Sequence, residues 1–210
     1  MIYSIIYILI IIMKIYFMRH GFAYHNLGVK LYGDIAYNLP QYEDARLTPE
    51  GIEHTIEIGK SLKNVVFNRI YSSPSFRCIE TTNHFINQNL NFNMKNKIIA
   101  LDDKLMEPQG NHICNTRKDR LILESILSKI DKTFDFSNVS LNYNGKFIES
   151  KERVSKRIVD FINNLKEECY NEDTILVVTH YMWLYNFFEL MTGEGYEFIN
   201  SEIKIIELTK

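Results

Sequence analysis

Two histidines, two arginines and a carboxylate are spaced along the chain so that each falls where an apolar stretch runs out. Arg19-His20-Gly21 follows Ile15-Tyr16-Phe17-Met18, and Arg77 lies in Ser73-Pro74-Ser75-Phe76-Arg77, just after Arg69-Ile70-Tyr71-Ser72. His180 ends Val177-Val178-Thr179-His180, and Glu107 stands in Lys104-Leu105-Met106-Glu107-Pro108, past Ile98-Ile99-Ala100-Leu101. The chemistry open to this set is phosphoryl transfer. His20 attacks phosphorus through a neutral ring nitrogen, so its other nitrogen must donate to a backbone or side-chain acceptor. Arg19 and Arg77 hold the phosphoryl oxygens, because guanidinium forks match phosphate and stay charged at any working pH. Gly21 lets the backbone come close to an anion. His180 donates a hydrogen bond to phosphate and steadies charge in the transition state. The departing oxygen needs a proton, and the incoming water then needs a base; Glu107, Asp102 and Asp103 all stand in the right region to supply both.

These side chains need strands that end on one edge of a sheet, because open α/β sheets bind ligands in the crevice outside the carboxyl ends of their strands. The apolar runs supply such strands. Thr174 to Thr179 has no polar alternation, as expected of a parallel strand covered on both faces. Between the strands lie helical patterns. Thr48 is an N-cap with Pro49 at the first helical position and Glu50 in the first turn. Ile52, Ile56, Gly59 and Leu62 then form one face. Ser73-Pro74 repeats that start signal before a stripe of Phe76, Ile79, Thr82 and Ile86. Leu123, Ile126, Leu127 and Ile130 suggest a helix after the basic cluster at 117–120. Val154, Ile158, Phe161, Ile162 and Leu165 make the clearest amphipathic helix, and Leu184, Phe187, Phe188 and Met191 make another, ending near Gly193. Glu202 to Leu208 reads as a last strand. Phe22 to Arg46 shows no strong periodicity and reads as a long functional loop, and Asn138 to Gly145 as a polar turn region. The alternation predicts an α/β fold, a three-layer α/β/α sandwich around a mostly parallel sheet.

A chain of 210 residues suits one well-packed domain. A formal net charge of -2 gives no global pull toward nucleic acid, so a phosphate site must rest on local arginines. Cys78, Cys114 and Cys169 are widely spaced and odd in number, which argues against a disulfide framework or a zinc site and for a reducing, cytoplasmic compartment. Met1 to Met13 is almost continuously apolar, yet shorter than the roughly 20 residues of a membrane span, and it lacks the flanks of a secretory signal. We read residues 1–12 as an N-terminal extension and 13–210 as a single catalytic domain; an added edge strand or a weak membrane anchor are the alternatives for the extension.

From about Lys14 to Thr192 the chain resembles the histidine phosphatase superfamily, the phosphoglycerate-mutase-like family. The likeness rests on Arg19-His20-Gly21, Ser73-Pro74-Ser75-Phe76-Arg77, Glu107, His180, and Leu47-Thr48-Pro49-Glu50-Gly51, which is similar to the family's L-T-x-x-G helix start. The stretch from His112-Ile113-Cys114-Asn115 through Asp135-Phe136-Ser137 is similar to a branch described only as phosphoglycerate-mutase-like. The resemblance implies a phosphoglycerate-mutase-like fold and phosphohistidine chemistry. It selects Glu107 over Asp102 and Asp103 as the acid and base, and makes Asn26 a phosphate contact. It departs from the family at Phe22, commonly Glu, at Ala23, commonly a small hydroxyl residue, and at Tyr181-Met182-Trp183, commonly glycines. The first two imply a more apolar mouth. His25 reads as a solvated loop residue. Arg117, Lys118 and Arg120 read as a solvated face, with a second anionic group of a substrate as the alternative. The expected activity is a metal-independent phosphatase acting on a small-molecule phosphomonoester, without cofactor. A phosphoglycerate-type phosphomutase, a non-catalytic phospho-ligand binder, and a metallohydrolase using His20, His25 and His180 are the other readings. The arginine pair opposes the last, because cations repel a metal.

Overall fold

The computed structural model describes residues 12–90, 98–110, 112–130, 133–143, 145, 147–168 and 173–209. The apolar run at 1–11 and Cys169 lie outside them. Within them six strands form one sheet in the order β4-β3-β2-β5-β1-β6, where β1 is Ile12–Arg19, β2 Arg69–Ser72, β3 Ile98–Asp102, β4 Thr133–Asn138, β5 Thr174–Thr179 and β6 Ile203–Thr209. All neighbours pair in parallel except β6, which runs antiparallel to β1. Among the described residues six α-helices flank the sheet: α1 Tyr24–Tyr32, α2 Pro49–Ser61, α3 Phe76–Ile86, α4 Arg120–Leu127, α5 Lys151–Glu168 and α6 Tyr181–Thr192. The expected three-layer sandwich is the observed one.

Alternate residues of the central strands feed two cores, as the period of two requires. Ile15 and Phe17 of β1 and Ile175 and Val177 of β5 pack with α5 and α6 around Phe161, Trp183 and Phe187. Tyr16, Met18, Leu176 and Val178 point the other way, to Ile79, Phe85 and Ile86 of α3 and Leu123 and Leu127 of α4. Ile58 and Leu62 of the α2 segment join that second core.

Several elements differ from the sequence reading. The stretch read as a loop after Gly21 contains α1, which buries His25 and Gly28; a helix whose inner face is a histidine and a glycine leaves no apolar period to read. The buried line of α2 is Gly51, Thr55 and Gly59, while Ile52 and Ile56 are only partly covered. Small residues face inward there because the helix lies close against its neighbours. Helix α3 begins at Phe76 with Ser75 as its N-cap, two residues beyond the N-cap that the Ser73-Pro74 signal marks. The edge strand β4 was not anticipated: Phe134 and Phe136 alternate with Asp135 and Ser137, but the run is short and its residues are partly or fully exposed.

Candidate active site

Strands β2, β5 and β1 are neighbours, so their carboxyl ends bring three expected residues together. The ladder continues past the strand ends: His20 N–H donates to Thr179 O (2.9 Å) and Ser73 N–H to Val178 O (3.0 Å). His20 and His180 therefore sit side by side, ring centroids 5.3 Å apart and close to perpendicular.

His20 is 3% exposed, and its Nδ1 donates to Gly21 O at 2.8 Å. That bond places the ring proton on Nδ1 and leaves Nε2, which makes no hydrogen bond among the described residues, with its lone pair. Burial, Arg77 and Arg19 hold His20 well below the ordinary histidine range, so the ring is neutral. The backbone beneath it is fixed by packing. Gly21 N–H donates to Thr81 Oγ1 (2.8 Å), and a Cβ on Gly21 would come within 2.7 Å of Thr55 Oγ1. Gly21 is thus a point of close approach to α2. That close packing by itself requires glycine at this position. Gly51 makes the same demand from the other side, since its Cβ would lie 2.0 Å from Phe22 O. Thr48 caps α2 through Gly51 N–H (3.1 Å), while its own amide and hydroxyl donate to Phe22 O. The Leu47-to-Gly51 segment is therefore the seat of the loop that follows His20.

Arg77 is 1% exposed on the first turn of α3. Its Nε donates to His180 Nδ1 (3.2 Å) and its Nη1 to Cys114 O (2.8 Å), with Asn115 Oδ1 beside Nη2. Accepting from Arg77 makes His180 the Nε2–H tautomer, and Nε2 meets Ser73 Oγ at 2.8 Å. Arg19 donates from Nη1 to Phe198 O (2.6 Å) and stacks on Tyr181, its guanidinium carbon 4.9 Å from the ring centre. Burial lowers its pKa, and its Nε is buried with no partner among the described residues.

Glu107 reaches the cluster by capping a helix. Its carboxylate accepts the amide of Met182 (3.2 Å) and that of Trp183 (3.3 Å), in the first turn of α6. Burial raises its pKa, against the pull of Arg77, the Met182 amide and Arg19. Asp102 and Asp103 have other partners: Asp102 caps the turn at Lys104 N–H (2.7 Å), and Asp103 binds Arg117. Asn26 stands on α1 with Oδ1 accepting from Ala23 N–H (3.0 Å) and close to Asn200 Nδ2 (3.5 Å).

Residues 15–204 match the histidine phosphatase superfamily (branch 1). The chain belongs to that superfamily. Solved structures with the same fold include a phosphoglycerate mutase from Bacillus anthracis str. Sterne, with TM-score 0.66 and 20% identity over 95% of this chain and 89% of that one. A putative alpha-ribazole-5'-P phosphatase from Escherichia coli K-12 gives 0.61 and 18% over 93% and 90%. A phosphoserine phosphatase from Entamoeba histolytica, in complex with 3-phosphoglyceric acid, gives 0.56 and 19% over 92% and 89%. At these identities the likeness is one of fold. No curated protein sequence matches the chain.

Three of the expectations are corrected. His25 is not solvated: it is 5% exposed on α1, its ring centre 5.6 Å from that of His20. Arg117 is not part of a solvated face: it is 3% exposed and binds Asp103 through Nε (2.8 Å) and Nη2 (2.9 Å). Lys118 and Arg120 do sit nearer the surface, paired with Glu43 and Glu124. Ala23 does not line a mouth: it is fully buried and bridged to Leu47. The sequence reading had no signal for Thr81, the Cys114 carbonyl or the Phe198 carbonyl, which hold Gly21, Arg77 and Arg19; a backbone carbonyl carries no residue signature. Among the described residues, no group of three or more His, Cys, Asp or Glu is arranged to hold a metal ion, and no helix is long and apolar enough to cross a membrane.

Proposed function

We propose that the protein hydrolyses a phosphomonoester through a phosphohistidine on His20. The observation that carries this reading is the His20 Nδ1–H bond to Gly21 O beside two guanidiniums. It presents a neutral Nε2 lone pair where an anion is drawn in. In the first step Nε2 attacks phosphorus, the bond to the ester oxygen breaks, and protonated Glu107 gives its proton to that oxygen. In the second step the Glu107 carboxylate takes a proton from water as the water oxygen attacks phosphorus; the P–N bond breaks and His20 returns neutral. Arg19 and Arg77 hold the non-bridging oxygens throughout. The His180 Nε2–H, now on Ser73, is the donor a phosphoryl oxygen would take over, and Asn26 lies at the start of α1 to add its amide. Hydrolysis is favoured over a phosphoglycerate-type mutase because Arg117, Lys118 and Arg120 already have carboxylate partners and do not form a second anion site. A cytoplasmic setting accords with Cys78 and Cys114 being free and buried.

The test is rapid-quench labelling with a phosphorus-labelled aryl phosphate in the presence of a chelator. We expect an acid-labile, base-stable label on His20, activity indifferent to the chelator, and no turnover by His20→Ala. Label on serine or aspartate, or full dependence on added Mg²⁺, overturns the reading.

A further inference from the structure

His25 is a buried side chain that the chemistry above does not use. Its Nδ1 is closed off from solvent without a partner, and neither ring nitrogen has a hydrogen-bond partner among the described residues. Buried polar atoms are nearly always satisfied, and an orphan in a native site calls for an explanation. An apolar residue at the second position of α1 would fill the same space without that cost. The surroundings say what the ring is for. The His20 ring at the end of β1 lies 5.6 Å from it, centre to centre, and Arg19, Arg77 on α3 and His180 after β5 lie near enough to act on its charge. Every one of these neighbours is cationic or a potential hydrogen-bond donor, and the ring stands at the N-terminus of α1, where the helix dipole also favours negative charge.

We infer that His25 is a phosphoryl-binding residue, a ring nitrogen donating a hydrogen bond to an oxygen of the phosphoryl group transferred to His20. This rests on the phosphatase reading for its ligand and adds a contact to that site. Burial, Arg77 and Arg19 keep the ring neutral in the free protein. A dianion among the same groups reverses the local field and favours the protonated ring, so binding takes up a proton at His25.

The experiment is calorimetric titration of the full chain with inorganic phosphate and with vanadate at pH 6 and pH 8, alongside His25→Phe and His25→Gln, with histidine ring NMR of the wild type. Binding of these anions needs no turnover, so it separates the two readings. The Phe variant is expected to bind phosphate roughly tenfold to a hundredfold more weakly, the scale of a charged hydrogen bond. The Gln variant, which keeps a donor, should recover part of that loss. In the wild type the His25 resonances should shift on binding, with proton uptake at pH 8. Unchanged phosphate affinity in both variants overturns the inference while the phosphatase reading stands. So does a lower kcat at unchanged affinity, which would mean that His25 acts through His20. Should the Phe variant fail to fold, the Gln variant and the wild-type spectra decide: an unmoved His25 resonance on saturation with phosphate overturns the inference. Wild-type protein that binds phosphate but hydrolyses no ester overturns the phosphatase reading alone, and wild-type protein that binds neither anion overturns both.

Discussion

The carboxylate of Glu107 accepts the backbone amide of Trp183 at 3.3 Å, tying the segment after β3 to the helix that starts directly after His180. In the mechanism proposed above, one side chain is then both a helix cap and the acid of the site. Glu107→Gln keeps an acceptor for the amides but has no proton to give. We expect a roughly 10²–10⁴-fold loss of kcat/KM on an alkyl phosphate, whose leaving oxygen needs the proton, and a much smaller loss on a nitrophenyl phosphate. Because burial raises the Glu107 pKa, the wild-type rate on the alkyl ester should persist to higher pH than an ordinary carboxyl allows. Equal damage to both esters would assign Glu107 a capping role alone.

Gly51→Ala should disturb His20 from a distance. The new Cβ would lie 2.0 Å from Phe22 O, which is backbone and cannot swing aside. Overpacking of this kind costs about 1–3 kcal/mol, read as a lower urea midpoint, and the forced shift of Phe22 should lower kcat as well. Gly110→Ala is the control, since none of the described residues lies within 4 Å of its added Cβ. A Gly51→Ala protein as stable and active as wild type would refute the seat described for His20.

Asp44 should make stability depend on pH in a direction unusual for an aspartate. It accepts from Phe76 N–H at 2.9 Å, yet burial outweighs that bond and raises its pKa from 3.8 to about 6. The folded chain thus holds a proton that the unfolded chain has released. The stabilising contribution is full below pH 3.8 and is lost as pH rises through about 6, on the order of 3 kcal/mol in all. The neutral histidines His20, His25 and His180 act oppositely, since the unfolded chain protonates them as pH falls through 6.5. Chemical denaturation of wild type and Asp44→Asn at pH 5 and pH 7 isolates the aspartate. Asp44→Asn should gain relative to wild type at pH 7 and lose that advantage at pH 5; a constant difference would show that Asp44 does not titrate in this range.

Asp103→Asn should unfold the protein more easily while leaving its chemistry intact. The Arg117 side chain is 0% exposed and Asp103 is its carboxylate partner. Removing the charge leaves a buried cation unpaired, a loss of about 3 kcal/mol. The double variant Asp103→Asn, Arg117→Met should recover most of it. KM for an aryl phosphate should change less than twofold in both. A selective rise in KM would show instead that Arg117 holds substrate.

The sequence alone determined the strand ends and the residues on them. Strands β1, β2, β3 and β5 are apolar runs dense enough to read directly, and each expected site residue except Asn26 follows one of them or opens the helix after it. Patterns of this sort survive in one dimension because burial of apolar side chains repeats with the local geometry. Tertiary structure decided what those residues touch. The Arg19 bond to Phe198 O, the Gly21 bond to Thr81 and the Glu107 cap on α6 each join segments far apart in the chain, and polar contacts of that range leave no local period. Helix α1 and the burial of Arg117 escaped notice for the same reason. One hides a histidine and a glycine, the other a cation whose carboxylate lies beyond a separate turn, and only the closed fold removes either from water.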